Sequence, residues 1–264
     1  MKYVDRFQSF ISKGHYHRMI ESEKKLSCLR ENIREYQTST GEKRLEWTEL
    51  GVVGFFQGIR VFEDDIEALK DHLLQLGVLP VVTKIDLESL PVDLQESMKS
   101  WTIPKRPTIR FSPNKTVRID PTRLHGYREW VGNMDVNDQV KAWTHEKDKY
   151  EVLSNEWMHL KRLLVIDIKP LQRFKLSCGS VACVPSKREV LGVDVFQHIG
   201  TEALMTFGRV DMKKVMLYTG RGILKKSDVD TYRKVVDVNL RYTLMQTRKE
   251  ELRNQYYHEY LMNL

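Results

Sequence analysis

Between Ile103 and Ile119 the chain reads IPKRPTIRFSPNKTVRI, with five basic side chains, Lys105, Arg106, Arg110, Lys115 and Arg118, and no acidic one. Cations grouped in this way suit contact with an anion such as the phosphates of a nucleic acid, because field strength depends on clustering. Without those five the chain holds 38 basic against 36 acidic residues, so its net charge of +7 is concentrated here. PTIRF and TVRI read as two short strands, with Pro113 and Asn114 between them for a turn. The expected product is a basic β-hairpin that sets Arg110 and Arg118 by the two-residue strand period, a form able to enter a groove or follow a phosphate backbone. Lysine and arginine also protect edge strands from aggregation, which is the competing use of the same residues.

A second group lies in VIDIK, where Asp167 and Lys169 stand two apart at the end of an apolar run that reads as a strand. Their spacing resembles the catalytic half-motif of restriction-endonuclease-like nucleases, in which carboxylates hold a divalent metal and the lysine assists the attacking water. The resemblance is confined to these residues and implies an earlier carboxylate, for which Asp120 in RIDP is the candidate. In YTGRGILKKSD, Gly220 and Gly222 with Lys225, Lys226 and Ser227 suit an anion at a helix N-terminus. No glycine directly precedes the Lys226-Ser227 pair, so this is no nucleotide-hydrolysing loop, and it reads as a glycine turn that caps a helix. Cys178 and Cys183 have only His198 as a nearby further ligand, short of a zinc set. No serine or cysteine has a recognisable base and orienting partner. The expectation is therefore no metal, no cofactor and no catalytic set.

The composition sets wider limits. At 264 residues and 41% hydrophobic, with 30% charged, the chain is long and apolar enough to bury a substantial core. Three cysteines suggest no disulfide framework and fit a reducing compartment. The amino terminus lacks the apolar core of a signal peptide, and the longest apolar stretch, LGVVGFFQGIRVF, is too short to span a bilayer. These features lead to the expectation of a cytoplasmic protein with no membrane contact.

The elements that must position these residues follow from proline placement and periodicity. Six of the eight prolines fall between residues 80 and 121. Three regions result: a helical amino-terminal region over 1–90, a proline-rich basic connector over 91–126, and a mixed α/β region over 127–264. HRMIESEKKLSCLRENIREYQ has helical spacing and ends at TSTGEK. Phe62, Ile66, Leu69, Leu73 and Leu76 make a second stripe that stops at Gly77, and the acidic EDDIE run suits that helix's start. The run containing Gly51, Gly54 and Gly58 fits either a close-packed helix or a buried strand. Val136, Trp143, Tyr150, Trp157 and Leu164 recur every seven residues, a packed helix or short coiled coil. From Ser227 to Leu261 no glycine or proline intervenes, which reads as one helix about 50 Å long. Its aromatic end, Tyr256, Tyr257 and Tyr260, is the candidate protein interface.

The sum is an α+β chain, helix-rich, with long amphipathic helices and a small sheet. The expected activity is non-enzymatic: an intracellular homo-oligomer that regulates or inhibits a macromolecular partner, either nucleic acid or a nucleic-acid-handling protein complex. The chain's size and low cysteine count suit a bacterial or mobile-element origin. A metal-dependent nuclease built on Asp120, Asp167 and Lys169 is the alternative.

Overall fold

The computed structural model describes residues 2–103, 105–115, 117 and 122–262, with side chains except those of 122–125 and 260–262. The chain begins with α1 (Lys2–Ser12), α2 (His15–Thr40), β1 (Arg44–Trp47) and β2 (Val52–Asp64), then α3 (Ile66–Gln75), α4 (Leu79–Val82), β3 (Thr83–Asp86) and α5 (Val92–Met98). Next come β4 (Thr108–Pro113), α6 (Thr122–Gly132), α7 (Val136–Asp167), β5 (Arg173–Leu176), β6 (Gly179–Val184) and β7 (Glu189–Leu191). It continues with α8 (Gly192–His198), α9 (Thr201–Phe207), β8 (Arg209–Val210), α10 (Met212–Gly220), α11 (Lys226–Asp230), β9 (Arg233–Gln246) and α12 (Thr247–Met262). Three small antiparallel sheets with helices make this an α+β fold, as the patterning predicts.

Two compact units result, and neither is one stretch of chain. The first comprises Met1–Gln57, Pro107–Pro185 and Leu240–Glu259; the second comprises Gly58–Arg106, Ser186–Asn239 and Tyr260–Leu264.

The first unit is organised by α7. Val140 and Trp143, and farther on Trp157, Leu160 and Leu164, are buried at steps of three and four with two heptads between the groups, the spacing that keeps one helix face against a neighbour. That neighbour is α2 of the same chain, whose Cys28, Leu29 and Ile33 join Val140 and Trp143 in one core cluster. Farther along, Trp157, Leu160 and Leu164 enclose a second cluster with Phe7 and Phe10 of α1 and Ile109 of β4. Buried Glu146 lies between the two clusters and accepts a 2.8 Å bond from Ser22 Oγ and a 3.1 Å bond from Lys149 Nζ. Burial pushes its carboxyl upward, but the Ser22 and Lys149 bonds prevail and hold it below its ordinary range. All three cysteines are buried free thiols, each raised by burial.

Helix α2 ends where expected, with Gly41 left-handed at φ 73° and its N–H bonded to Thr38 O. Three other expectations are corrected. LLVID continues α7 to Asp167 instead of forming a strand, because Leu164 and Ile168 extend its buried stripe and tertiary packing outweighs β-branched propensity. Phe62 belongs to β2, and the helix expected around it begins at Ile66, capped by Asp65, which accepts from Ala68 N. The single long carboxy-terminal helix is replaced by α11, β9 and α12. Val236, Val238, Leu240, Tyr242 and Leu244 alternate with Asp237, Asn239, Arg241 and Thr243; this two-residue period suits a strand, and β9 pairs with β2.

β1, β2 and β9 form one sheet in that order, with Arg44 opposite Phe55 and Trp47 opposite Val52. Within the first unit, Glu250 of α12 accepts one 2.8 Å bond on each carboxylate oxygen from the two terminal nitrogens of Arg44. The Arg44 fork holds the Glu250 carboxyl below its ordinary range. A side chain on Gly54 would meet Tyr242 Oη and Gln37 Oε1, so any larger residue must displace those two side chains.

The second unit places α3, α4, α8, α9 and α10 around the sheet β7-β3-β8. Leu69, Leu73, Leu79, Ile85, Val190, Leu204 and Val215 form its core. Lys70, largely buried, donates 2.7 Å to Met205 O, and burial lowers its ammonium below the ordinary range.

Glu250→Gln should lower unfolding free energy by about 1–2 kcal/mol at neutral pH, the scale of hydrogen bonds to a charged group. Because the native carboxyl is depressed, this contribution is complete above the ordinary glutamate value near 4.5 and is lost as pH falls below it. Urea titrations of both proteins at pH 7 should therefore differ more than the same titrations at pH 3. Gly54→Ala should cost about 1–3 kcal/mol through displacement of Tyr242 and Gln37, read from the same titration.

Candidate nucleic-acid interface

The sheet β4-β6-β5 in the first unit has two chemically opposite faces. Successive strand residues point to alternate sides, and here Ile109, Phe111, Val181, Cys183, Phe174 and Leu176 turn inward to the α1 and α7 cluster. The other parity turns Thr108, Arg110, Ser112, Ser180, Ala182, Val184, Arg173 and Lys175 outward. The register sets these in rows: Arg110 opposite Ala182 opposite Arg173, then Ser112 opposite Ser180 opposite Lys175. Two strand spacings separate Arg110 from Arg173, roughly 10 Å between Cα atoms. Small Ala182 and Ser180 lie between the cations, and Arg173 Nη2 donates 3.0 Å to Ser180 Oγ.

Among the described residues no carboxylate stands on this face, and Arg110, Arg173 and Lys175 make no ion pair. Several cations of the second unit are matched within it: Lys84 pairs with Asp211, Lys105 and Arg209 with Glu189, Lys187 with Asp86, Arg188 with Glu88 and Arg233 with Asp64. A charge already matched in this way has less left for an outside anion.

Next to Arg110 lies a groove of about 490 Å³ lined in part by Tyr16, Phe111, Trp157 and Lys161. Its three rings contact one another, with centroids 4.9 Å apart for Tyr16 and Trp157 and 5.2 Å for Tyr16 and Phe111. Burial, aided by Glu23, raises the Tyr16 phenol, so it stays neutral. Aromatic rings beside a basic face are the two components that hold single-stranded nucleic acid. A larger groove of about 700 Å³ between α2 and α7 is lined by Arg18, Lys25 and Lys149 but also by Glu21, Glu146 and Asp148. Mixed sign makes it a poor seat for a polyanion.

The five basic residues of the connector are divided by the fold. Lys105 and Arg106 belong to the second unit, where Lys105 lies 2.6 Å from Glu189 and the Arg106 carbonyl accepts from Ser186 Oγ. Arg110 and Lys115 belong to the first unit, both exposed, and Arg118 lies outside the described residues. The strand over Thr108–Phe111 forms as expected, but its described ladder partner is β6, some 70 residues away in sequence. Of the expected second strand only Val117 is described, in a turn with its N–H bonded to Asn114 O.

Arg173 and Lys175 are not among the sequence-based candidates; their signal in the sequence is the alternation RFKL followed by GSVACV, a β-hairpin pattern.

Asp167 is placed differently from the nuclease pattern. It ends helix α7, and its Oδ2 accepts from Tyr3 N at 2.7 Å and Val4 N at 3.2 Å, capping the first turn of α1. Lys169 follows the helix end and shares no strand with it, while Asp120 lies outside the described residues. No group of three or more potential metal ligands occurs among the described residues. Lys225–Ser227 precedes and begins α11, a five-residue helix without a side-chain cap. Tyr256 and Tyr257 are well exposed on α12, and the Tyr260 side chain lies outside the described set.

No helix among the described residues is long and apolar enough to cross a membrane. Comparison with known proteins finds no matching family model, no matching curated protein and no matching solved structure.

Asp167→Ala removes the cap on α1 and should reduce unfolding free energy by about 1 kcal/mol. Thermal or urea denaturation of the variant beside the parent checks this; unchanged stability would return Asp167 to the pool of functional candidates.

Proposed function

We propose that this chain is a non-enzymatic binding protein that takes a nucleic-acid backbone onto the basic face of β4, β6 and β5. In this reading it acts as a homo-oligomer that regulates or inhibits the handling of that nucleic acid. The observation that carries the proposal is the face itself: Arg110, Arg173 and Lys175 on one side of a sheet, with no acidic neighbour on it and no ion pair among the described residues. Phosphate neutralisation by such cations supplies sequence-independent affinity through counterion release. Tyr16 and Phe111, partly exposed in this groove and backed by buried Trp157, offer rings against which an unpaired base can stack, which favours a single strand over a duplex.

A protein partner is the second reading, and it has its own observation. Tyr256 and Tyr257 are 72% and 62% exposed on α12, and large amphipathic rings are typical anchors of protein interfaces.

Anisotropy of labelled single-stranded and duplex oligonucleotides across a salt series separates the two. Binding should weaken steeply with salt, and the triple variant Arg110→Ala, Arg173→Ala, Lys175→Ala should reduce the logarithmic salt slope by about 2 for a single strand. Absent or salt-independent binding, or a triple variant with an unchanged slope, overturns the nucleic-acid reading in favour of the tyrosine surface.

A further inference from the structure

The groove beside Arg110 differs from three others in the first unit by holding cations without carboxylates. Its two charged side chains are Arg110 of β4 and Lys161 of α7, and no residue lining it is acidic. The other grooves carry Glu23, Glu46 with Glu49, or Glu21, Glu146 and Asp148. Among the described residues neither Arg110 nor Lys161 makes an ion pair.

Packing sets where both cations stand. Lys161 follows Trp157 by four residues, one helical turn along the same side of α7. Trp157, Leu160 and Leu164 are buried in the cluster with α1 and β4, so the helix turn that carries Lys161 is held, and its side chain is only partly exposed. Arg110 comes from a different element. It alternates with the inward-facing Ile109 and Phe111 and lies opposite small Ala182. Tyr16 of α2 brings a third element to the same groove.

Size and charge define what fits. A volume of about 490 Å³ lies in the lower half of the ~300–1,000 Å³ typical of small-molecule sites, which suits one nucleotide unit and not several. A phosphate inside a strand brings one negative charge. A terminal phosphate monoester brings about −1.5 to −2 at neutral pH and three acceptor oxygens, enough for two cationic donors to share. We propose that this groove is a subsite for a nucleotide carrying a terminal phosphate monoester, with the phosphate between Arg110 and Lys161 and the base against Tyr16 and Phe111. Its source is either the phosphorylated end of a single strand or a free mononucleotide. The strand-end form rests on the nucleic-acid reading above; the mononucleotide form does not.

The test measures binding of the intact chain to one internally labelled single strand with a 5′-phosphate, a 3′-phosphate or hydroxyls at both ends. Calorimetry with adenosine 5′-monophosphate and adenosine runs beside it. One phosphorylated end, or the monophosphate over the nucleoside, should bind roughly tenfold more tightly, the scale of a charge-assisted hydrogen bond. Lys161→Ala should abolish that preference and Lys161→Arg should keep it. Lys141→Ala, which removes the same charge about 30 Å along α7, should leave it intact, with circular dichroism checking the fold of each variant. No gain from a terminal phosphate in any ligand overturns the proposal, and so does a Lys161→Ala loss that is equal for phosphorylated and hydroxyl ends. In either case salt-dependent binding of the hydroxyl-ended strand leaves the sheet-face reading standing. Mononucleotide binding that Lys161→Ala abolishes, with no strand bound, supports this site and removes the nucleic-acid reading.

Discussion

Burial of one face of α7 is the constraint on which the first unit depends. A 32-residue helix cannot hold its length in water through propensity alone, and α7 is held by two successive clusters along the same stripe. Val140 and Trp143 meet α2, while Trp157, Leu160 and Leu164 meet α1 and the inner face of β4, β6 and β5. Because the same helix supports both clusters, the orientation of the small sheet follows from α7. With Ile109, Phe111, Val181 and Cys183 committed inward, the two-residue strand period leaves Arg110, Arg173 and Lys175 no direction but outward.

The resulting surface is a by-product of packing that acquires a chemistry. Cations from β4 and β5, some 60 residues apart in the chain, are brought to one face across small residues of β6. In the second unit Glu189 alone takes both Lys105 and Arg209. Clustering of three cations on one face without a carboxylate on those strands is what marks the proposed nucleic-acid face. The aromatic groove beside Arg110 extends this logic, since its rings are also members of the α7 cluster and are therefore held in place.

The seven-residue repeat expected to form a seam is instead packed within the chain: Val136, Val140 and Trp143 of α7 meet α2, and Tyr150, Trp157 and Leu164 meet α1.

By itself the sequence determined the features that depend on local periodicity. α2 and its glycine stop, α7 from Val136, the Ile66–Leu73 stripe of α3 with its stop at Gly77 and the strand at Thr108–Phe111 could all be read from spacing and breaker residues. Gly51 to Gly58 stayed ambiguous because short apolar runs satisfy both periods. The stretch after Ser227 has no breaker, which suits one helix, yet its two-residue alternation from Val236 suits the strand that forms. Tertiary structure alone decided that LLVID is helix, since that depends on Leu164 and Ile168 finding a core to enter. It also gave β4 the distant β6 as its described partner, and it put Arg173 and Lys175 on one face with Arg110. Asp167 and Lys169 show the same limit from the other side: two residues apart in sequence suggests a shared strand face, but a carboxylate's role is set by the groups that reach it, here the amides of Tyr3 and Val4. Periodicity fixes which way a side chain points relative to its own element, and only packing fixes what it points at.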